Sequence, residues 1–407
     1  MTSSHHLLII GAGPHQLPAI RHARSRGIRV SVTDMNPQAV GVGEADDFGH
    51  VSTRDADATR DFALELHRRH PVSGVMTMAS ESSIAVAAVA DALGLPGLDP
   101  DVARAATHKG RRQEVFRHAG VPSPRFSLVS SLDQARQACR SIGLPAVVKP
   151  VDSAGSRGVR KIMALDELSD SVEEIRSIST TDELVVEEFL TGTEHSIEGV
   201  VIDGRIRWTG FSDRNYANKE SAAPYFLEDG DTLPTALDDT QVTAVFRAAT
   251  AAVEALRIDW GPVKGDILVD ASGPKILEMA ARLSGDYFCD QTVPLHNGIE
   301  LVPVVMDLSL GRSISIGTLQ PRFERGVALR GIWPPTRRIA AVRGIENARR
   351  LPGVHFVTLD PGWHHCTYPV ECGPLDRIAA VLAHGPTRQE AVERAEGAVA
   401  AVEIVAA

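Results

Sequence analysis

A strand–helix–strand unit opens the chain and limits its fold more than any other feature. Residues 7–10 form a short apolar run that ends in Gly11-Ala12-Gly13, and a helical stretch follows over 18–26. A second β run spans 28–33. Two strands joined through a helix pair in parallel, because such a crossover is too long for a hairpin. The start of the chain therefore predicts an open parallel α/β sheet.

The same alternation continues further along. A strand over 74–78 leads into a helix over 84–93, and a polar helix is expected over 100–119. From 126 to 186 the pattern is strand, helix, strand, Gly-rich loop, strand, helix, strand, with core strands over 146–149 and 184–188. These periodicities predict a second α/β unit after the first.

Two hairpins and a distinct carboxyl-terminal region follow. The first hairpin joins 196–202 to 205–211 through Asp203-Gly204, and the second joins 265–269 to 275–279. A helix is expected over 241–255 between them. The region 318–407 has short strands of its own and a terminal helix over 388–404.

Charge and cysteine content exclude several classes of protein. The 407 residues carry 42 Lys plus Arg against 52 Asp plus Glu, a net charge of −10. This balance argues against nucleic acid or a membrane surface as a partner. The 4 cysteines do not form a disulfide framework, and no apolar stretch reaches the roughly 18 residues of a membrane helix. We expect a soluble, cytoplasmic protein.

A lysine and a glycine-serine loop form the first chemical feature. Lys149 ends an apolar strand and would alone be interpreted as a solvated strand end. Backbone N–H groups and hydroxyls of the loop that follows can wrap phosphate oxygens, although it has no GKS or GKT of a Walker A motif. The candidate phosphate-binding residues of this loop are Ser153, Gly155, Ser156, Arg157 and Gly158.

Acidic residues leave the next core strand. The strand over 184–188 ends in Glu187 and Glu188, and Phe189 and Leu190 follow it. A chain leaving a strand supplies the acceptor and the backbone N–H that an adenine needs. Glu194 is close enough in sequence to accept from a ribose hydroxyl. A solvated strand end would also explain why these residues are acidic. It would not explain why they follow the lysine and the glycine-serine loop in this order.

Two carboxylates and an arginine complete the series. Asp266 and Glu278 lie on the two arms of the second hairpin, where opposed carboxylates can hold Mg²⁺ with phosphate oxygens and water. Arg282 follows and suits a transferring phosphoryl group. An ordinary charged hairpin is the alternative interpretation.

In this order and spacing, the features resemble the ATP-grasp superfamily from about residue 5 to the end. Thr107-His108-Lys109 and the following Gly120-Val121-Pro122-Ser123-Pro124 resemble the family's lead-in. The resemblance implies that Lys109 reaches the nucleotide phosphates, that Lys149 contacts the α-phosphate and the adenine side, and that the loop closes over the phosphates. It further implies that 187–190 hold adenine, Glu194 ribose, Asp266 and Glu278 Mg²⁺, and Arg282 an acyl phosphate.

The resemblance also implies an architecture. It is a multidomain α/β and α+β protein with the ATP-grasp fold. We expect an N-terminal open parallel α/β domain over 1–105, a linker and lid over 106–190, a catalytic subdomain over 191–317 and a C-terminal extension over 318–407. The implied cofactors are ATP and Mg²⁺, with Mn²⁺ as an alternative, and a homodimer is a candidate assembly.

One position departs from the family pattern. Many members read Glu-x-Asn-x-Arg where this chain reads Glu278-Met279-Ala280-Ala281-Arg282, so the asparagine metal ligand is Ala280 here. A second Mg²⁺ therefore has fewer ligands. The Ala-Arg form is itself similar to a subgroup of carboxylate–amine ligases.

Further segments narrow the branch. Pro224-Tyr225-Phe226, Leu233-Pro234 and Leu351-Pro352-Gly353-Val354 resemble L-amino-acid ligases of the bacilysin-synthesis type. This branch implies a small-molecule carboxylate and an amine as substrates, joined as an amide with release of ADP and phosphate. The alternatives are a nucleotide-biosynthesis carboxylase that activates bicarbonate and a non-enzymatic nucleotide-binding subunit.

Two other motifs receive structural interpretations. Gly11-x-Gly13 with Asp34 is an incomplete dinucleotide fingerprint, because Gln16 occupies the third glycine position. His364-His365-Cys366 with Cys372 matches no standard zinc spacing. We expect Cys139 and Cys289 to be buried apolar thiols.

Overall fold

The computed structural model describes residues 5–153, 155–216, 226–334, 338–363 and 377–407. Its α-helices are α1 Leu17–Ser25, α2 Ala56–Arg69, α3 Ser83–Leu93, α4 Pro100–Thr107, α5 Lys109–Ala119, α6 Leu132–Ile142, α7 Leu168–Ile178, α8 Asp239–Ala255, α9 Val293–Asn297, α10 Leu301–Ser309, α11 Ile345–Arg349 and α12 Arg388–Ala400. Its strands are β1 His6–Ile10, β2 Arg29–Asp34, β3 Asp47–His50, β4 Gly74–Thr77, β5 Phe126–Val129, β6 Ala146–Pro150, β7 Arg160–Ile162, β8 Leu184–Glu188, β9 Thr193–Ile202, β10 Arg205–Asn215, β11 Gly230–Leu233, β12 Gly261–Asp270, β13 Gly273–Ala280, β14 Gly326–Ile332, β15 Ile339–Arg343, β16 Val354–Leu359, β17 Ala379–Gly385 and β18 Glu403–Ala406.

The N-terminal sheet is parallel, as predicted. Its strands lie in the order β3-β2-β1-β4, and every pairing in it is parallel. All five residues of β1 are buried, because helices cover both faces of a parallel sheet and leave no solvated side. In the part of the chain that the structure describes, no helix is long and apolar enough to span a membrane.

A small antiparallel sheet forms the second unit. Its order is β5-β8-β6-β7, and α6 and α7 pack on it around a core that includes Val148, Ile162 and Val186. The predicted succession of strands and helices over 126–186 is confirmed. This sheet places the ends of β6 and β8 side by side, since Val147 pairs with Glu187.

The described strands also build a large sheet of eight, in the order β13-β12-β9-β10-β11-β14-β17-β16. Both predicted hairpins are in it, and the first turns at Asp203 and Gly204, whose φ values of 51° and 70° suit a type I′ turn. The carboxyl-terminal strands β14, β16 and β17 continue this sheet through β11, instead of forming a separate one. Long-range pairing of this kind leaves no local sequence signal.

Two helix predictions were wrong at particular residues. The polar helix over 100–119 is two helices, because His108 has an extended backbone (φ −79°, ψ 110°) and its Nδ1 accepts from the N–H of Arg111 to begin α5. The terminal helix ends at Ala400, and β18 then pairs with β15. The predicted fold class, a multidomain α/β and α+β protein, is confirmed.

Candidate functional site

One cavity of about 700 Å³ lies where the two antiparallel sheets and the N-terminal domain meet. Every candidate site residue predicted from the sequence lines it except Gly158, which lies buried at the base of the loop. The N-terminal domain contributes His15 and Ala79 to its wall. Residues far apart in the sequence therefore meet in one concave site, the usual form of a small-molecule site.

Lys149 is held by a buried ion pair. Its Nζ lies 2.6 Å from Glu187 Oε2, and the two side chains are 10% and 5% exposed. Gln113 Nε2 donates to the other carboxylate oxygen of Glu187, at 3.2 Å. Lys149 is expected at the α-phosphate and the adenine side, and Glu187 at adenine; in the structure the two side chains are also partners of each other.

The break at His108 aims Lys109 into the cavity. The Lys109 backbone N–H donates to Val151 O at 3.1 Å, and its Nζ donates to the carbonyl of Ser153. Burial lowers the pKa of Lys109 to about 8, against the opposing influence of Glu278. A buried lysine that is charged at pH 7 and faces a cavity is well suited to an anionic ligand.

The loop over 153–158 is fixed at its base and exposed at its tip. Asp152 accepts from Ser179 Oγ and from Thr180 N, each at 2.8 Å. Ser153 Oγ donates to Arg157 O at 2.8 Å, which closes the loop on itself. Gly155, Ser156 and Arg157 are exposed, and Gly155 and Ser156 have φ values of 63° and 56°.

The run that leaves β8 offers backbone groups to the cavity. The Glu188 N–H donates to Arg125 O at 3.0 Å and the Phe189 N–H to Pro145 O at 3.4 Å. The Glu188 carboxylate forms an ion pair with Arg125, with Nε–Oε2 at 2.7 Å. Leu190 follows these residues and also lines the cavity.

Glu194 lies further along the same wall. Tyr216 Oη donates to Glu194 Oε2 at 2.6 Å. The Glu194 carboxylate also lines the cavity.

The second hairpin places the two predicted carboxylates opposite each other. Asp266 is the cross-strand partner of Glu278. Lys264 lies between them, with Nζ 2.9 and 2.8 Å from the two carboxylate oxygens of Asp266 and 4.0 Å from Glu278 Oε1. Burial opposes ionisation of both acids, but nearby cations, Lys264 foremost, hold the pKa of Asp266 low and that of Glu278 well below its usual range.

These two carboxylates fit a divalent cation. Both are ionised and present hard oxygen ligands on one face of a rigid hairpin, the donor set that Mg²⁺ takes together with phosphate oxygens and water. Within the described residues, no three His, Cys, Asp or Glu side chains group as a metal site. A metal ion bound here would therefore take half or more of its ligands from phosphate oxygens and water.

Arg282 is held by the N-terminal domain. Its Nε donates to Glu81 Oε1 at 3.0 Å, and its Nη2 donates to the same oxygen. The loop that carries Glu81 is fixed to this segment by Ala79 N donating to Leu283 O at 3.2 Å and Ser83 Oγ donating to Ala281 O at 3.0 Å. Arg282 is thus a link between two domains as well as a wall of the cavity.

The far wall of the cavity carries further charged pairs. Arg214 forms an ion pair with Glu228, and Arg377 Nη1 donates to Asp286 Oδ2 at 2.8 Å. Asp231 accepts from Ser212 Oγ at 2.6 Å. Burial raises the pKa of Glu228 and of Asp231, and the nearby Asp286 carboxylate adds to both shifts, although Arg214 opposes them.

Sequence reasoning missed several of these residues. Lys264 had a usable signal, because it stands two residues before Asp266 and therefore on the same face of a strand. Glu81, Arg214 and Arg377 had none, since only the tertiary fold brings them to the cavity.

The remaining sequence motifs have structural roles where they are described. The Asp34 carboxylate accepts from the backbone N–H groups of Ala12 and Asn36, each at 2.9 Å. Cys139 and Cys289 are free and buried, as predicted. His364, His365, Cys366, Cys372 and Tyr225 lie outside the described residues.

Three family models match the chain. An ATP-grasp domain matches residues 106–286, an ATP-grasp N-terminal domain matches 20–97, and an L-amino acid ligase C-terminal domain 2 matches 332–407. The resemblance stated from the sequence is thereby confirmed.

Individual proteins agree with these matches. Uncharacterized protein y4rH of Sinorhizobium fredii is 28% identical, covering 85% of this chain and 70% of that protein. Carnosine synthase 1 of Gallus gallus is 25% identical over 84% of this chain, which spans only 39% of that longer enzyme.

Solved structures share the fold. An L-amino acid ligase from Bacillus licheniformis has a TM-score of 0.85 at 20% identity, with full coverage of both chains. A carboxyaminoimidazole ribonucleotide synthase from Aspergillus clavatus, complexed with ATP, has a TM-score of 0.76 at 16% identity, covering 98% and 99% of the two chains.

Proposed function

Since this chain belongs to the ATP-grasp superfamily, we propose that it is an ATP-dependent carboxylate–amine ligase that forms an amide through an acyl phosphate. The acyl donor is an amino acid or another small carboxylic acid. The observation that carries the proposal is the convergence of Lys109, Lys149, Asp266, Glu278 and Arg282 on one cavity.

One end of the cavity is suited to the nucleotide. Backbone groups of the run 187–190 would bind adenine, with an N–H donating to a ring nitrogen and a carbonyl accepting from the amino group. Glu194 faces the position of a ribose. Lys109, Lys149 and the loop over 153–158 then lie along the phosphates, where charge-assisted hydrogen bonds are strongest.

The other end is suited to the reacting carboxylate. The carboxylate oxygen attacks the terminal phosphorus of ATP, its bond to ADP breaks, and an acyl phosphate forms. Mg²⁺, held by Asp266 and Glu278, would offset charge on the phosphate oxygens. Arg282 is placed beside this pair and stabilises the developing negative charge.

Amide formation completes the cycle. The amine nitrogen attacks the acyl carbon, phosphate leaves with the carbon–oxygen electron pair, and the nitrogen loses a proton. The described wall around Glu228, Asp231 and Asp286 is where the organic parts of the acid and the amine would lie. No spacing rule reads their identity from these residues.

The alternative carboxylase activity activates bicarbonate, and a non-enzymatic subunit would have no turnover. The C-terminal match to L-amino acid ligases favours the ligase over both. Small-molecule substrates and Mg²⁺ follow from this proposal, and a homodimer remains a candidate assembly.

A substrate panel tests the proposal. Release of ADP and phosphate should require one carboxylic acid and one amine together, with bicarbonate as a separate arm. Arg282→Ala should abolish the release, whereas Arg312→Ala, which removes an arginine outside the cavity, should leave it unchanged. Release that needs only bicarbonate would favour the carboxylase, and no stimulated release would favour the non-enzymatic subunit.

A further inference from the structure

Four side chains share one face of the second hairpin. Lys264 and Asp266 are two residues apart on β12, and Glu278 and Ala280 are two apart on β13, so each pair points to the same side. The register pairs Asp266 with Glu278 and Lys264 with Ala280. The lysine therefore lies directly opposite the position where many family members carry a metal-binding asparagine.

The small side chain of Ala280 fits this arrangement. Ala280 is 3% exposed and offers only a methyl group to its partner across the strands. The aliphatic stem of Lys264 can lie over it without competing for space. The chain has thus lost a neutral oxygen ligand on one strand and has a positive charge on the other.

The Lys264 ammonium group lies close to both carboxylates that we assign to the metal, Asp266 and Glu278. Lys264 Nζ is 2.9 and 2.8 Å from the two oxygens of Asp266 and 4.0 Å from Glu278 Oε1. A cation at this point engages the lone pairs that a divalent ion would need. The three side chains are 14%, 15% and 22% exposed, so water screens the contact little.

Other cations add to this neutralisation. Arg214 Nη1 is 3.5 Å from Asp266 Oδ2, and Arg112 Nη2 is 3.9 Å from Glu278 Oε2. Among the described residues, three cations thus lie within 4 Å of the two carboxylates. A further double positive charge would be repelled unless it brought negative charge with it.

We propose that the Lys264 ammonium is the resident cation of the Asp266–Glu278 pair, and that a divalent ion binds there only together with nucleotide phosphates. The inference rests on the proposed function, which makes these two carboxylates the metal ligands. Phosphate oxygens supply the negative charge that lets the metal and the lysine occupy one site. Lys264 acts here as a positioning residue that makes metal binding conditional on nucleotide.

Mn²⁺ binding without nucleotide tests the proposal. Bound Mn²⁺ loses the electron paramagnetic resonance signal of the free ion, so titration gives the affinity directly. Lys264→Met, which keeps the length and removes the charge, should bind Mn²⁺ at least tenfold more tightly than the wild-type protein. Lys275→Met is the matched control, because Lys275 lies on the same hairpin outside the cavity, and it should behave as wild type.

A double variant locates the bound ion. Lys264→Met combined with Asp266→Asn should lose the gain, because the metal then lacks its ligand. Equal affinity in wild type and Lys264→Met, or a gain that survives Asp266→Asn, would overturn the proposal. If Lys264→Met does not fold, Lys264→Gln takes its place in both measurements.

This test is independent of catalysis. It uses neither ATP nor an acyl donor, so its failure leaves the ligase proposal intact. Mn²⁺ together with a non-hydrolysable ATP analogue should bind the wild-type protein at least tenfold more tightly than Mn²⁺ alone, after subtraction of a titration of the analogue without protein, and equal affinities would also contradict the inference. Absence of ADP release with every acid and amine would instead count against the ligase.

Discussion

At the scale of single residues, each cation that we assign to a ligand already has a protein partner. Lys109 donates to the Ser153 carbonyl, Lys149 pairs with Glu187, and Arg282 pairs with Glu81. Burying an unpaired charge is costly, so these contacts stabilise the folded protein. Nucleotide binding on this account exchanges partners.

Lys149→Ala should affect both binding and stability. ATP affinity should fall about 10- to 100-fold with the loss of a charge-assisted contact. The variant should also lose about 3–5 kcal/mol of unfolding free energy, because Glu187 is left buried without its cation. Lys149→Ala with Glu187→Gln should recover much of the stability but not the affinity, as urea unfolding and calorimetry can show. Nucleotide affinity unchanged in the folded variants would contradict the role of Lys149.

Lys109 predicts a pH dependence. Its pKa is about 8 in the folded protein against 10.5 in an unfolded chain, so it stays charged below pH 8 and is neutral above. ATP affinity should therefore be constant below pH 8 and fall as pH rises towards 10. The free energy of unfolding should rise with pH between about 8 and 10.5. In this range the unfolded chain still holds a proton on Lys109 that the folded protein has released.

Lys109→Arg is the control for this dependence, because arginine stays charged throughout. Its ATP affinity should be flat between pH 7 and 10, by titration calorimetry. A wild-type profile as flat as that of the arginine variant would refute the assignment.

Glu81→Gln tests the link between the domains. The variant weakens the hold on Arg282 without touching the nucleotide end, so kcat should fall by up to about 10²-fold while KM for ATP stays unchanged. Glu81→Asp, which keeps the charge, should recover part of the rate. A parallel rise in KM for ATP would show that Glu81 acts elsewhere.

At the scale of secondary structure elements, local patterns predicted what local contacts determine. The alternation over 126–186 and both hairpins are present because apolar period and turn residues agree there. The break at His108 was not predicted, because the residues on either side of it favour helix. Tertiary contacts, such as the hydrogen bond from Lys109 N to Val151 O, determine where the helix breaks. The approach of Lys264 to Asp266 could not be predicted without knowledge of the strand register.

The loop over 153–158 should order when nucleotide binds. Its exposed tip of small and polar residues buries little apolar surface in the empty protein. Amide hydrogen exchange over 155–158 should slow on adding ATP and Mg²⁺, while exchange in the buried strand β1 should not change. Equal exchange in the loop with and without nucleotide would contradict its closure over phosphates.

At the scale of the whole molecule, the cavity exists because three units meet. The N-terminal domain supplies His15 and Ala79, the small sheet supplies Lys149, and the hairpin of the large sheet supplies Asp266 and Glu278. The order of these motifs along the sequence was enough to predict the family and a part of the lining residues, among them Lys149, Glu187 and Asp266. The far wall at Arg377 could not be predicted, because β14 and β17 join the large sheet through contacts without a sequence signature.

The most direct test follows oxygen from the acid to phosphate. L-Amino acids carrying ¹⁸O in their carboxylates, supplied as a mixture with ATP and Mg²⁺, serve as acyl donors and amines together. If an acyl phosphate forms, mass spectrometry should find one ¹⁸O atom in each phosphate released. With Arg282→Ala, phosphate release should not exceed the background, and that phosphate should carry no ¹⁸O. Phosphate that forms in step with the amide but carries no ¹⁸O, or that takes label only from ¹⁸O-bicarbonate, would contradict the account.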